Sequence, residues 1–408
     1  MKRLLRTLML LLIRLLGAPR AWAATKQVRE PLPAAPCILL IRPDHLGDLV
    51  LTTPVLHALR QHAPDAQITM MIGPWSSEIV ARHPDIDRLL TCSFPGFQRA
   101  SQRALAPYML LLTAAKQLRR GHYDLAINLR PDFWWGAALM YLARIPHRIG
   151  YALEPGKPFL TTALPFHSPE HAAVSNLRLA SAALETLGLS PLAEPYSPAG
   201  YPLQFIPTEE EQRWVTQRLS GEGIDAEMPF VVIHPGTGAA VKLWRTEAWA
   251  RCADALTKSS QWSKPMRIIL TGSRNERPML EEIASTMTTP AIIVTNATVG
   301  QLAALLGRAQ MVLAVDNGPA HLAVAQGTPT VELFGPTDYR IFGPWGGAEK
   351  HVVLASTERC PTCACIPCGR LDFSPAELPA HPCVRLIREQ QVLAAIEKLY
   401  QTCQQKSN

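Results

Sequence analysis

The chain has little charge, and almost no excess of either sign beyond its first thirty residues. Charged residues make up 18% of its 408 positions. Of the formal net charge of +7, six units come from Lys2, Arg3, Arg6, Arg14, Arg20, Lys26 and Arg29, opposed only by Glu30. The rest is close to neutral, which excludes the body-wide basic surface that binding a nucleic-acid backbone requires. A shortage of apolar residues is not the reason. With 48% hydrophobic residues the chain is not disordered, and its length suffices for two ordinary domains, each with its own core. The N-terminal apolar stretch also lacks the uninterrupted run of about 20 residues that a spanning helix needs.

That N-terminus, MKRLLRTLMLLLIRLLGAPRAWAA, begins basic and ends in A-W-A before Ala24, as a signal peptide does. Arg14 interrupts such a reading. On a helical wheel Lys2, Arg3, Arg6, Thr7 and Arg14 share one face, and Leu4, Leu5, Leu8, Leu11, Leu12, Leu15 and Leu16 fill the other. Residues 1–24 therefore read as an amphipathic helix in a membrane interface, basic side chains toward anionic head groups. A signal or anchor segment and a helix docked on protein are the alternatives.

Beyond residue 30, short apolar runs alternate with longer amphipathic segments, which predicts an α/β chain with parallel sheets. Strands are expected at 37–42, 67–73, 88–93 and 124–130, with helices such as TPVLHALRQHA and SQRALAPYMLLLTAAKQLRR between them. Composition turns to Pro, Ser and Gly at 190–207, a candidate linker. The rhythm then restarts, with strands at 230–236, 266–272, 291–295, 311–318 and 328–335. The expected domains are 33–200 and 201–388, followed by a C-terminal helix and tail over 389–408. Two doubly wound domains would face each other across a central cleft, with ligands outside the carboxyl ends of the strands.

Polar clusters fall at those strand ends. In RPDHLGDLVLTTP (42–54) Gly47 permits a tight turn, Asp48 follows it, and the chain enters a helix through Thr53 and Pro54. Asp48 is either a capping group or a base aimed into the cleft, and Asp44 is the competing carboxylate. In IHPGTGAAVKLW (233–244) the backbone amides around Thr237 and Gly238 suit a phosphate, and Lys242 adds a mobile cation; a plain βα turn with an exposed lysine is the rival reading. In LTGSRNERP (270–278) Glu276 either accepts from ribose hydroxyls or sits in a first helical turn. In AVDNGPAHLA (314–323) a helix starts at Gly318 and Pro319, its free amides suited to a diphosphate. Asp316 and Asn317 shape that turn, and His321 is a donor one turn in.

In combination and order, R-P-D-H-L-G-D-L-V-L-T-T-P, H-P-G-T-G-A-A-V-K-L-W, T-G-S-x-x-E, D-N-G-P-A-H-L-A and L-F-G-P-T resemble family 9 glycosyltransferases, the lipopolysaccharide heptosyltransferases and their relatives, over roughly residues 36–400. The resemblance implies a GT-B architecture of two Rossmann-like domains. It implies a nucleotide-activated sugar, ADP-heptose foremost, bound mainly by the C-terminal half. Transfer would invert the anomeric carbon and require no metal or cofactor. Asp48 falls on the family's base, and Lys242, Glu276, Asp316, Asn317, Gly318 and His321 fall on donor-binding positions. Where family members often carry Asp-Thr-Gly or Asp-Ser-Gly, this chain has Asp-Asn-Gly. Domain closure would bring base and donor together. A lipid-linked glycan acceptor fits the N-terminal helix and implies a cytoplasmic enzyme on the inner face of the membrane.

Five of the nine cysteines lie in CPTCACIPCGRLDFSPAELPAHPC (360–383). Cys360, Cys363, Cys365 and Cys368 form two C-x-x-C pairs suited to tetrahedral zinc, with His381 as an alternative ligand. Reduced thiols in a surface loop and disulfides are the other readings. Two further functions stay open: a non-catalytic nucleotide- or glycan-binding protein, and a metal or redox protein built on the cysteines.

Overall fold

The computed structural model describes residues 2–26, 33–97, 104–225, 228–258 and 266–407. Arg29 and Glu30 of the N-terminal charge cluster, and 101–103 at the start of the expected helix, lie outside the described residues, as do the side chains of Lys2, Arg3, Leu4, Leu5 and Arg20.

The chain divides into two compact units, Met1–Ser197 and Pro198–Asn408. The first unit carries α1 (Lys2–Lys26), β1 (Cys37–Arg42), α2 (Leu46–Val50), α3 (Thr53–His62), β2 (Gln67–Ile72), α4 (Ser77–Val80), β3 (Arg88–Thr91), α5 (Ala106–Leu118), β4 (Leu125–Asn128), α6 (Trp134–Leu142), β5 (His147–Tyr151), β6 (Thr162–Leu164) and α7 (Ala172–Thr186). The second carries α8 (Glu209–Gly221), β7 (Phe230–His234), α9 (Thr246–Lys258), β8 (Arg267–Thr271), α10 (Arg277–Thr286), β9 (Ala291–Val294), α11 (Val299–Arg308), β10 (Met311–Val315), α12 (Gly318–Ala325), β11 (Thr330–Phe334), α13 (Tyr339–Phe342), β12 (His351–Ala355) and α14 (Glu389–Ser407).

Each unit holds one six-stranded sheet, ordered β3-β2-β1-β4-β5-β6 in the first and β12-β11-β10-β7-β8-β9 in the second. All the strand pairs are parallel. Renumbered from its own first strand, the second sheet has the same order as the first, the doubly wound pattern with its switch point between strands one and four. The central strands are buried on both faces, which is why CILLIR, FVVIH and MVLAV read as continuous apolar runs rather than alternating ones. The expected strands form. Unforeseen are β5, β6 and β12; β6 has three residues and, like β12, lies at a sheet edge, so neither needs a fully apolar run.

Helix starts follow local chemistry. Pro54 stands in the first turn of α3, and Thr208 with Glu211 and Thr298 with Gln301 form reciprocal capping boxes on α8 and α11. In the second unit Trp244 and Trp249 meet edge to face with centroids 4.9 Å apart, and Trp244 Nε1 donates to the Ile387 carbonyl at 3.0 Å. The core there also takes in Val392, Ile396 and Leu399 of α14, so this last helix is part of the second unit.

Helix α1 docks on the first unit through one narrow stripe. Leu10 and Ala21 are buried, Tyr141 Oη of α6 donates to the Arg14 carbonyl at 2.8 Å, and Gly17 leaves room for the same tyrosine where a Cβ would collide. The leucine face stays outside: Leu8, Leu11, Leu12, Leu15 and Leu16 are about half exposed or more. Docking on protein, one of the alternatives from sequence, thus coexists with an unpartnered apolar face. No described helix is long and apolar enough to cross a membrane.

Candidate active site

In the first unit the loop after β1 and the end of β4 meet at the switch point, because β1 and β4 are neighbours. Arg42 closes β1, and its side chain is buried. Its Nε lies 2.7 Å from Asp44 Oδ2, its Nη2 donates to Asp48 Oδ1 at 3.2 Å, and its Nη1 donates to the Leu129 carbonyl and to Asn176 Oδ1. Asp44, buried, is gripped a second time by Arg130 Nη1 from beyond β4. Trp75 Nε1 and Ser76 Oγ donate to the Asp44 carbonyl at 3.0 and 2.8 Å.

The two carboxylates therefore differ. Asp44 is locked between two guanidiniums, whereas Asp48 has one longer contact and a side chain 29% exposed. Partial burial of the Asp48 carboxylate, reinforced by the negative charge of Asp44, holds its pKa above the ordinary aspartate value, against Arg42, Arg130 and His45. Capping is not its role: α2 has His45 at its N-cap with no side-chain cap bond, and Asp48 lies inside the first turn. Gly47, expected to make a turn, is likewise helical, because the chain enters α2 directly after His45. Beside the carboxylates stands an aromatic group that sequence reading missed. His45 lies 5.9 Å from Trp75, Trp75 stacks on Phe97, and the Arg130 guanidinium sits 5.1 Å above the Phe97 ring.

In the second unit the equivalent switch point lies between β7 and β10. The loop leaving β7 runs through Pro235, Gly236, Thr237 and Gly238 to a single 3-10 turn, Ala240–Lys242. The loop leaving β10 carries Asp316 and Asn317 into α12. Lys242 Nζ lies 2.7 Å from Asp316 Oδ2, so the cation expected to be mobile is held by a carboxylate. Thr337 Oγ1, from the loop after β11, donates to the same Asp316 oxygen. Asn317 is the N-cap of α12: its Oδ1 accepts from Ala320 N at 2.9 Å, and its Nδ2 donates to the carbonyls of His234 and Gly236 at 3.2 and 2.8 Å. One amide side chain thus caps the helix and ties it to the neighbouring loop. Gly318 begins α12, and His321 is buried one turn in.

Glu276 completes the arrangement at the third strand end. Its Oε2 accepts from Ser273 N and Oγ, both at 2.7 Å, and its carboxylate lies where a Cβ on Gly236 would stand. His234 lies buried behind this loop with Nδ1 2.9 Å from Thr271 Oγ1, and burial pushes its pKa down to about 4 against the opposing Glu276 charge. Thr237 and Gly238 lie at the surface of the turn, with open space above Gly238. The second-unit residues named from sequence thus gather around one switch point. Arg42, Arg130, Asn176 and Thr337 were missed as site residues, although Arg42 and Thr337 stand inside quoted motifs. Arg130 gave no local signal beyond ending a strand.

The match to the family model described as "Glycosyltransferase family 9 (heptosyltransferase)" covers residues 111–368, more than half of the chain. The chain belongs to glycosyltransferase family 9. Among curated relatives, lipopolysaccharide heptosyltransferase 3 of Escherichia coli strain K12 is 28% identical over 310 residues, 73% of this chain and 82% of that one. Among solved structures, a family 9 glycosyltransferase from Veillonella parvula aligns with a TM-score of 0.71 at 24% identity, covering 90% of this chain and 97% of the other. The E. coli ADP-heptose lps heptosyltransferase II aligns at 0.67 and 20% identity, covering 90% and 99%. This chain is a glycosyltransferase of GT-B fold, with two Rossmann-like units.

The cysteine segment lies between β12 and α14. Ligand atoms of Cys360, Cys363 and His381 lie within 4.8 Å of one another, an arrangement able to hold a metal ion. The exposed Cys365 thiol, one of the ligands expected from sequence, donates instead to the Pro367 carbonyl at 3.3 Å. All the cysteines are free thiols in this structure.

Proposed function

We propose that this family 9 enzyme transfers heptose from ADP-heptose to a lipopolysaccharide core acceptor, with inversion and without a metal in the transfer step. The observation that carries the reading is the paired Lys242 and Asp316 beside the capped N-terminus of α12. As the sugar departs, negative charge accumulates on the diphosphate. The positive end of the α12 dipole and the Lys242 ammonium are the groups available to stabilise it. Asp316 holds the lysine in place until a stronger anion competes for it. Thr237, Gly238 and Gly318 supply backbone, Glu276 takes ribose hydroxyls, and Asn317 and His321 order the first turn of α12.

Asp48 is assigned as the base that takes the proton of the attacking hydroxyl. Its raised pKa supports this role, since a more basic carboxylate removes a hydroxyl proton more readily. Its exposure and single ion-pair contact leave it free to do so, unlike Asp44.

The acceptor's lipid anchor accounts for α1. We assign its exposed leucine face to the cytoplasmic surface of the inner membrane; Leu105, Met109 and Leu112 of the same unit are also exposed. Flotation with anionic vesicles, weakened by Leu12→Glu with Leu16→Glu, tests this.

The function is tested with purified enzyme, ADP-heptose and a truncated lipid A core acceptor. ADP release should require acceptor, and Asp48→Asn should lower turnover by about 100-fold or more while ADP binding is retained. Acceptor-dependent release of the nucleoside diphosphate from another nucleotide sugar, but not of ADP from ADP-heptose, would overturn the donor. Undiminished turnover in Asp48→Asn would remove Asp48 as base.

A further inference from the structure

The segment from 356 to 388 makes a long excursion between β12 and α14, and its polar ends converge on one point. Cys360 and Cys383 are buried in the core of the second unit, next to Val384 and Ile387. Cys363 N donates to the Cys360 carbonyl at 3.0 Å, a tight turn that brings both thiols to one side. Cys363 Sγ lies 3.3 Å from His381 Nδ1, whose ring packs on Phe373 with centroids 3.8 Å apart and whose Nε2 lies 3.3 Å from Thr362 Oγ1. The Cys383 thiol stands next to that of Cys360, as the Cys368 thiol does to that of Cys363.

This cluster also touches the donor-side loop. Gly335, at the end of β11, packs against Cys383 and Val384 so closely that a Cβ there would collide. Gly369 N donates to the Pro336 carbonyl at 2.8 Å. Two residues beyond Gly335, Thr337 holds Asp316, which holds Lys242.

We propose that Cys360, Cys363, His381 and Cys383 bind a tetrahedral zinc ion that fastens this excursion to the sheet and thereby braces the loop carrying Thr337. Three thiolates and an imidazole form a soft donor set of the kind zinc takes in closed structural sites. His381 and Cys383 take the places that sequence spacing gave to Cys365, which turns to the Pro367 carbonyl, and to Cys368, which stands beside Cys363 outside the four. The segment from 356 to 388 has few regular elements, and an ion fixing four of its side chains supplies the order that a hydrogen-bonded ladder supplies elsewhere. The effect on Asp316 and Lys242 rests on the donor reading above; the metal site itself does not.

The test begins with metal analysis of the full chain, purified without chelator under reducing conditions. About one zinc per chain is expected. After exchange to Co2+, thiolate-to-metal charge transfer and the strong visible bands of a tetrahedral site should appear. Cys363→Ser and Cys383→Ser should each reduce bound zinc at least about tenfold, whereas Cys365→Ser should keep it. Removing the ion should lower the melting temperature and weaken ADP binding. No stoichiometric metal, with the cluster thiols freely reactive toward a thiol reagent, overturns the proposal. Iron in stoichiometric amount overturns the choice of ion, and zinc loss in Cys365→Ser overturns the ligand set. If the zinc-loaded enzyme fails to bind ADP, the donor reading falls while the metal content still decides the site.

Discussion

The Lys242 ammonium and the Asp316 carboxylate lie 2.7 Å apart and are both largely buried, although they come from the loops after two different strands. A carboxylate beside the helix start proposed to hold a diphosphate would by itself repel that group; paired with lysine and bonded by Thr337, its charge is offset and the lysine is aimed. The pair is therefore a preorganised device, set before any ligand arrives.

Lys242→Met removes one partner of that pair. Asp316 is then left as an uncompensated, mostly buried charge, and a stability loss of about 3 kcal/mol is expected by thermal or denaturant unfolding. Turnover should fall by about 100-fold or more in the same variant. Lys242→Met with Asp316→Asn should recover much of the stability and none of the turnover, separating the two roles.

Asn317 performs two tasks that substitution can divide. Asn317→Ala loses the cap and both loop bonds, and should cost about 1–2 kcal/mol in unfolding experiments. Asn317→Thr restores an N-cap oxygen without the amide donors to the His234 and Gly236 carbonyls. It should regain about half of that stability while donor affinity, measured by calorimetry with ADP, stays reduced.

The two loop glycines should respond oppositely. A Cβ at Gly236 overlaps the Glu276 carboxylate, so Gly236→Ala must displace Glu276 and should lower both melting temperature and donor affinity. Gly238 has open space, and Gly238→Ala should leave the melting temperature unchanged.

Stability should fall as pH drops from about 6.5 toward 4 and again as pH rises toward about 8. Burial holds His234 and His351 down to about 4, so the unfolded chain binds protons that the folded one refuses. Their contribution is present above about 6.5 and is lost as pH falls toward 4. Glu332 behaves conversely. Burial, aided by the Asp316 charge and opposed by the Thr330 hydrogen bond, pushes its carboxyl up to about 8. Its contribution is present below about 4.5 and is lost as pH rises toward 8. Melting temperature against pH should show a flattened alkaline side in Glu332→Gln; an unchanged slope would assign that loss elsewhere.

What the sequence determined by itself was everything that acts over short range. Apolar runs marked the central strands, Pro54 and Pro319 marked helix starts, and the Asp-Asn-Gly and His-Pro-Gly-Thr-Gly turns marked where polar side chains leave the sheet. Edge strands β6 and β12 escaped, because an edge tolerates a weaker pattern. Only the tertiary structure decided which strand ends become neighbours. The crossover that sets β1 beside β4 brings Arg130 to Asp44, and the one that sets β10 beside β7 brings Asp316 to Lys242. The same long-range packing buries Cys383 against Gly335 and leaves Cys365 at the surface, a difference that C-x-x-C spacing does not report. Periodicity reports the environment of one segment. Ion pairs and metal ligands depend on which segments meet, and that follows from strand order and burial.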